Sequence, residues 1–225
     1  MTAPVTGVQS CSFVFGDSIK SKIERAIDET LTLLPQPGAL NPEQRRGVIA
    51  RYAAVLEGNF IYWMTGAYLS VRTQPSREII VDNLQEEIRD CHPGMMHRFA
   101  AAAHASATEP DFQAVYPDLM KVRLFVGRMA PVRLLVMMAY FEGFIQRFMA
   151  YLEELAVQQG SSENEYTQVH GVCDVAHTDG LIRALMTEMD LEPAVSEPDL
   201  FEGVELLRGL IRTMVHCDSE MHLTA

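Results

Sequence analysis

Apolar positions recur every three or four residues along nearly the whole chain, a period that is typical of amphipathic helices. In the segment that begins at Asp17, for example, Ile19, Ile23, Ile27 and Leu31 fall on one side. No window of alternating apolar and polar residues predicts a strand. The pattern therefore predicts an all-α fold.

Prolines, glycines and capping residues divide this pattern into separate helices. Asn41 followed by Pro42 is typical of a helix start, because Asn caps the first turn and Pro is tolerated at its first position. The expected helices cover roughly 17–34, 41–72, 76–91, a segment through 97 that ends near 107, 117–128, 131–159, a segment around 170–177 that ends near 190, and 199–216. Residues 110–116 are expected to form a loop or short turn. We expect one domain over residues 1–225, a bundle of seven or eight helices preceded by an irregular tail at 1–16.

Composition and charge narrow the function classes. With 225 residues, 48% of them hydrophobic, the chain can bury a sizeable core. A net charge of −12 argues against nucleic acid and anionic membranes as partners, since both require basic surfaces. The four cysteines lack paired spacing, and the first residues show no secretion signal, so we expect free thiols and a cytoplasmic protein.

Three potential metal ligands are closely spaced in the segment expected to form the seventh helix. His170, Asp174 and His177 stand at i, i+4 and i+7, which places them on one helical face. Imidazole together with carboxylate suits iron, zinc or manganese. The alternative is a solvated polar stripe with no function.

Three glutamates fall within the apolar stripes of other predicted helices: Glu57, Glu87 and Glu142. A buried ionised carboxylate is costly unless it is paired or binds a metal. The alternative is that each lies at the margin of its buried face or pairs with an arginine. Glu86 falls outside its stripe, and we expect it to be solvated.

A further histidine is expected from the region after Cys91, where the candidates are His92, His97 and His104. We prefer His97, because His92 stands at the break that Pro93 predicts and is expected at the surface. No histidine of the chain has a glutamate three residues before it. The Glu-x-x-His motif of ferritin-like bundles is therefore missing, and that architecture is disfavoured.

The combined pattern resembles the haem-oxygenase-like di-iron oxidases and oxygenases, over roughly residues 45 to 180. It rests on Glu57, on Glu87 followed ten residues later by His97, on Glu142, and on His170-x3-Asp174-x2-His177. The resemblance implies a haem-oxygenase-like helical fold without haem and two ferrous ions. The metal ligands that it implies are Glu57, His97, Glu142, His170, Asp174 and His177. Glu142 would bridge the ions, and Glu87 matches an additional carboxylate found in some members.

The resemblance also implies a reaction class. Members of similar size use Fe(II) and dioxygen to oxidise small substrates, and we expect a free amino acid such as isoleucine, desaturated or closed to a ring through a C–N bond in natural-product biosynthesis. Arg133 and Arg183 are the candidates to bind its carboxylate. Phe60, Met64 and Met138 are expected beside the substrate, although most of the apolar residues in these helices should be ordinary core. An external electron donor and a homodimer are compatible with this interpretation.

Three alternatives remain open from the sequence. An oxidase of the same fold could act on a fatty acid or an aromatic amino acid, and a fatty acid would require a long apolar channel and no buried arginine near the metals. A metal-independent relative of thiamin or quinone-cofactor enzymes would bind no iron. A helical interaction protein would leave Glu57 and Glu142 exposed or paired with cations.

Overall fold

The computed structural model describes residues 9–192 and 196–216, except for the side chains of 9–18 and 172–174. Within those residues it contains nine α-helices and no strand, so the all-α prediction is confirmed. The helices are α1 (Gln9–Thr32), α2 (Pro42–Leu56), α3 (Asn59–Ser70), α4 (Gln74–Arg89), α5 (His92–Ala102), α6 (Glu109–Val126), α7 (Pro131–Gln158), α8 (Glu165–Met189) and α9 (Glu197–His216). Helix α1 already begins at Gln9, so residues 9–16 are helical where we expected an irregular tail.

Helix α7 is the centre of the bundle. It packs against α8 and α9 most extensively, and it also contacts α1, α2, α3 and α5. Its sequence is apolar on nearly all sides from Leu134 to Ile145, as expected for a helix that is surrounded by others. Glu142 is the acidic residue within that buried stretch, which places its carboxylate in the middle of the protein.

The segment expected to form one helix from 41 to 72 consists of two helices, and this raises the helix count above the predicted seven or eight. Gly58 adopts a left-handed conformation (φ 71°), which side chains other than glycine rarely tolerate. The buried amide of Asn59 donates to the carbonyls of Val55 and Glu57, satisfying groups that the broken helix leaves open. Because the chain turns here, Glu57 is exposed instead of continuing the buried face of α2.

Two other boundaries differ from the prediction because a proline begins a helix where we expected an interruption. Helix α5 starts at His92 with Pro93 in its first turn, after Cys91 in a left-handed conformation (φ 56°). Helix α6 starts at Glu109 behind a capping box formed by Thr108 and Asp111, and Pro117 lies inside it. The expected loop at 110–116 is therefore helical.

Helices α4 and α8 run antiparallel, since Thr73 contacts Glu188 and Glu87 contacts His170, and α8 packs along α7. At one end of the pair, fully buried Glu188 accepts hydrogen bonds from the backbone N–H groups of Arg72 and Thr73 and from the Thr73 hydroxyl. Burial alone would raise the pKa of Glu188, but the hydrogen bonds from Thr73 and Arg72 outweigh it and lower that pKa. Glu188 thus fixes the start of α4 to the end of α8.

None of the helices among the described residues has both the length and the apolar character needed to cross a membrane.

Candidate metal centre

Three buried side chains from three helices meet at the opposite end of the α4–α8 pair. Glu87 of α4, His92 of α5 and His170 of α8 each offer a ligand atom, and the three atoms lie within 4.8 Å of one another. The Nδ1 atom of His92 is 2.8 Å from Oε1 of Glu87, and Nε2 of His170 is 3.8 Å from the same oxygen. All three residues are at most 5% exposed. We call this group the first position.

The orientation of His170 is set by its own helix. Its Nδ1 lies 2.9 Å from the carbonyl oxygen of Tyr166, which can only accept, so Nδ1 carries the hydrogen. In the neutral imidazole, Nε2 then holds the lone pair, and it is directed toward Glu87. The ring of Tyr166 packs against His170 at 4.2 Å and that of His92 at 4.5 Å, which restricts its rotation. A backbone partner of this kind commonly fixes a metal-binding histidine.

A second group of ionisable side chains adjoins the first position. Glu142 of α7, 2% exposed, has its Oε2 at 3.9 Å from Nδ1 of His177. On the other side of that imidazole, Nε2 is 2.9 Å from half-buried Glu86 of α4, and an ionised carboxylate there accepts the hydrogen. His177 therefore directs Nδ1 toward Glu142. We call Glu142 and His177 the second position.

Glu142 also connects the two positions, because it lines the same pocket as Glu87, His92 and His170. The amide of Asn83 on α4 donates to Oε1 of Glu142 across 2.9 Å and restricts the rotation of that carboxylate. The rest of the pocket wall is mainly apolar: Leu56, Phe60, Ile61, Pro93, Met96, Ile145 and Tyr166. No Arg or Lys is among the described residues that line it.

The space enclosed by these side chains is small. The cavity measures about 30 Å³, enough for roughly two water-sized molecules. Half-buried Leu56 and Ile61 and exposed Pro93 mark its outer side. A molecule larger than this space extends past these rim residues or displaces them.

The donor set fits a metal ion such as iron. Ligand atoms on one ion, each at about 2.1 Å from it, lie no more than about 4.2 Å apart, close to the separations at the first position. Two imidazoles and a carboxylate suit Fe(II). In addition, Oδ1 of buried Asn83 accepts no hydrogen bond from any described residue, although buried polar atoms normally have a partner. Ordered clusters of buried acids and imidazoles are otherwise costly, and a divalent cation offsets that cost.

The structure brings together four residues that the sequence singled out: Glu87, Glu142, His170 and His177. The side chain of Asp174 lies outside the described residues, so its expected role stays a prediction. Glu87 lies close to both His92 and His170 and therefore belongs to the first position itself. We had expected it to be an additional ligand.

Two expected ligands are not part of this group. Glu57 is exposed because of the break after α2, and it does not line the pocket. His97 is exposed on α5, whereas His92, which we expected at the surface, is buried and contacts Glu87. The cause is the helix start at His92, which turns His92 inward and His97 outward. A His-Pro pair at a helix start was the sequence signal that could have revealed this. His104, the third candidate, is also exposed.

Glu86 corrects another expectation, since it contacts His177 and is not simply solvated. The predicted substrate residues are only partly at the pocket. Phe60 lines it, whereas Met64 and Met138 are fully buried core residues outside its lining. Exposed Arg183 and half-buried Arg133 do not line it either, so neither is placed to bind a carboxylate there.

Comparison with known families gives one match that covers most of the chain. The family model described as "Iron-containing redox enzyme", of the haem-oxygenase-like class, matches residues 49–208. That range includes every side chain of the two positions described above. No curated protein matches the chain.

Proposed function

The chain belongs to the family of iron-containing redox enzymes, and from that premise we propose that it is a non-haem di-iron oxidase that uses dioxygen on a small substrate. The observation that carries the proposal is the buried group of Glu87, His92 and His170 beside Glu142 and His177. The first position would hold one iron ion and the second position the other, with Glu142 between them. Ferrous iron held by these residues would supply electrons for the reduction of dioxygen.

The protein side chains have separate tasks in this proposal. Glu86 and the Tyr166 carbonyl hold the imidazoles of His177 and His170 in the tautomers that direct a lone pair inward. Asn83 fixes the carboxylate of Glu142. The apolar wall formed by residues such as Phe60 and Ile145 excludes water, which limits reduction of dioxygen without substrate.

The apolar pocket wall also supports a proposal for the class of substrate. Its apolar side chains favour an aliphatic group next to the metal positions, and an oxidation of a C–H bond is the corresponding reaction. We propose a free aliphatic amino acid such as isoleucine as the first substrate class, with its side chain toward the pocket and its charged end at the rim. Desaturation or C–N ring closure removes two hydrogens from it. Dioxygen needs four electrons and four protons to become two waters, so an external donor supplies the other two electrons and the solvent the other two protons.

A second substrate class is favoured by one specific observation. The described pocket lining contains no Arg or Lys, and the two predicted carboxylate partners, Arg133 and Arg183, lie elsewhere. A fatty acid whose carboxylate stays outside matches this lack of cations, but it needs a longer apolar channel than the pocket of about 30 Å³.

Stopped-flow mixing of the anaerobic ferrous protein with dioxygen tests the proposal, with aliphatic amino acids and fatty acids in parallel. We expect iron-dependent oxygen consumption that one substrate class accelerates, with a product whose mass is lower by two hydrogens. Glu142→Ala should abolish this consumption, whereas Glu154→Ala, an exposed position of the same helix, should retain it. Absence of iron-dependent oxygen consumption with every substrate, or full turnover by Glu142→Ala, would refute the proposed function.

A further inference from the structure

Asn83 is a buried residue beside the second position whose hydrogen-bonding capacity is only half used. Its side chain is 4% exposed, and Nδ2 donates to Oε1 of Glu142 across 2.9 Å. Its other polar atom, Oδ1, accepts no hydrogen bond from the part of the chain that the structure describes. A buried amide oxygen without a donor is unfavourable, so a group other than these protein atoms is expected to meet it.

The orientation of the Asn83 amide follows from its neighbour. With nitrogen and oxygen exchanged, Oδ1 would face an ionised carboxylate oxygen of Glu142, and two acceptors would meet without a hydrogen between them. The nitrogen therefore belongs against Glu142, and Oδ1 is the atom that remains available.

The position of Asn83 on α4 relates it to the metal centre. Asn83, Glu86 and Glu87 stand at i, i+3 and i+4 and so share one face of the helix. Each contacts a different candidate ligand: Glu86 contacts His177 and Glu87 contacts His170, as Asn83 contacts Glu142. The face of α4 that carries Asn83 is thus the face that meets both metal positions.

We infer that Oδ1 of Asn83 is a ligand of the metal ion at the second position, in addition to Glu142 and His177. A carbonyl oxygen suits hard divalent cations such as Mn²⁺ and complements the carboxylate and imidazole already there. The inference rests on the proposed function, because it requires a second ion. It assigns Asn83 two roles, since its nitrogen fixes one ligand and its oxygen is another.

Titration of the metal-free protein with Mn²⁺, followed through the electron paramagnetic resonance signal of the free ion, tests the inference without any turnover. Wild type is expected to bind two ions. Asn83→Leu removes the oxygen, and the second ion should bind about 10- to 100-fold more weakly while the first is unchanged. Gln85→Leu, an exposed position of the same helix, is the matched control and should bind both ions as wild type does.

Asn83→Asp separates the two roles of Asn83 and gives a result even if Asn83→Leu does not fold. Aspartate keeps an oxygen ligand but loses the N–H that binds Glu142. A ligand role predicts a second ion held at least as tightly as in wild type. Weaker binding of the second ion by Asn83→Asp, or wild-type affinity for that ion in a folded Asn83→Leu, overturns the inference about Asn83. Neither result overturns the proposed function. A wild-type protein that binds fewer than two ions overturns both the inference and the di-iron proposal.

Discussion

The two ends of the α4–α8 pair both bury glutamates, but they do so with opposite surroundings. At one end, the partners of Glu188 among the described residues are donors: two backbone N–H groups and the hydroxyls of Thr73 and Ser76. At the other end, Glu87 and Glu142 also have hydrogen-bonding partners, His92 and Asn83 respectively. In addition, His170 directs a lone pair toward Glu87, and His177 directs one toward Glu142. A carboxylate whose oxygens all accept hydrogen bonds from the protein needs no further partner. Carboxylates and imidazole lone pairs that are directed at one point instead form a site that is complementary to a cation.

This difference shows that burial of an acid does not by itself indicate a metal site. Glu188 is the more deeply buried of the residues compared, at 0% exposure against 5% for Glu87. What separates the two ends is the chemistry of the partners. If that interpretation is correct, substitutions at the end with Glu87 should weaken iron binding. Substitutions at the end with Glu188 should lower the free energy of unfolding.

The largest effect is expected at the first position. His92→Ala removes one of two imidazoles there and should lower iron affinity by at least about 100-fold, since one of three described ligand atoms is lost. His97→Ala, on the exposed side of the same helix, should leave iron affinity unchanged. Anaerobic iron titration of both variants measures this, and the reverse ranking would restore His97 as the ligand.

The next effect is expected at the opposite end. Glu188→Gln places an amide NH2 group against a backbone N–H donor, and the free energy of unfolding should fall by about 1–3 kcal/mol at pH 7. Iron stoichiometry should remain that of wild type. Urea unfolding of the metal-free proteins measures the first quantity and an iron titration the second. A lower iron stoichiometry in this variant would show that the end with Glu188 is also needed for iron binding.

Wild type and Glu188→Gln should also differ in how their free energy of unfolding depends on pH. Because the folded pKa of Glu188 is lowered, its contribution is fully present above the unfolded value of about 4.3 and is lost as the pH falls through the folded pKa. The stability gap between wild type and Glu188→Gln should therefore be constant near neutrality and close below about pH 4.3. A gap that stays open well below that pH would show that Glu188 acts through its shape and not its charge.

The smallest effect is expected at Glu57. Its side chain is exposed after the break at Gly58, so Glu57→Ala should change stability by less than about 0.5 kcal/mol and leave iron binding intact. Calorimetric melting and an iron titration check this. Weaker iron binding would mean that the segment between α2 and α3 folds back toward the metal positions.

Several of these residues could be selected from the sequence because their signals are local. Glu142 stands in a long apolar run, and His170 and His177 share a helical face by spacing alone. Their helices, α7 and α8, are long and regular. The helical period therefore correctly predicts which side of the helix each side chain faces. The family resemblance then related these residues to iron chemistry, and the family match confirms an iron-containing redox enzyme.

Other residues were decided by the tertiary structure. Whether Glu57 faces the core depends on the left-handed turn at Gly58, and whether His92 or His97 faces it depends on Pro93 starting a helix. The roles of Glu86 and Asn83 required α4 to be placed against α7 and α8. By itself, the sequence determined an all-helical protein with acids and imidazoles in its apolar faces, because periodicity is a property of the chain. Only the tertiary structure decided which of these groups meet, because a break of one residue rotates all side chains that follow it.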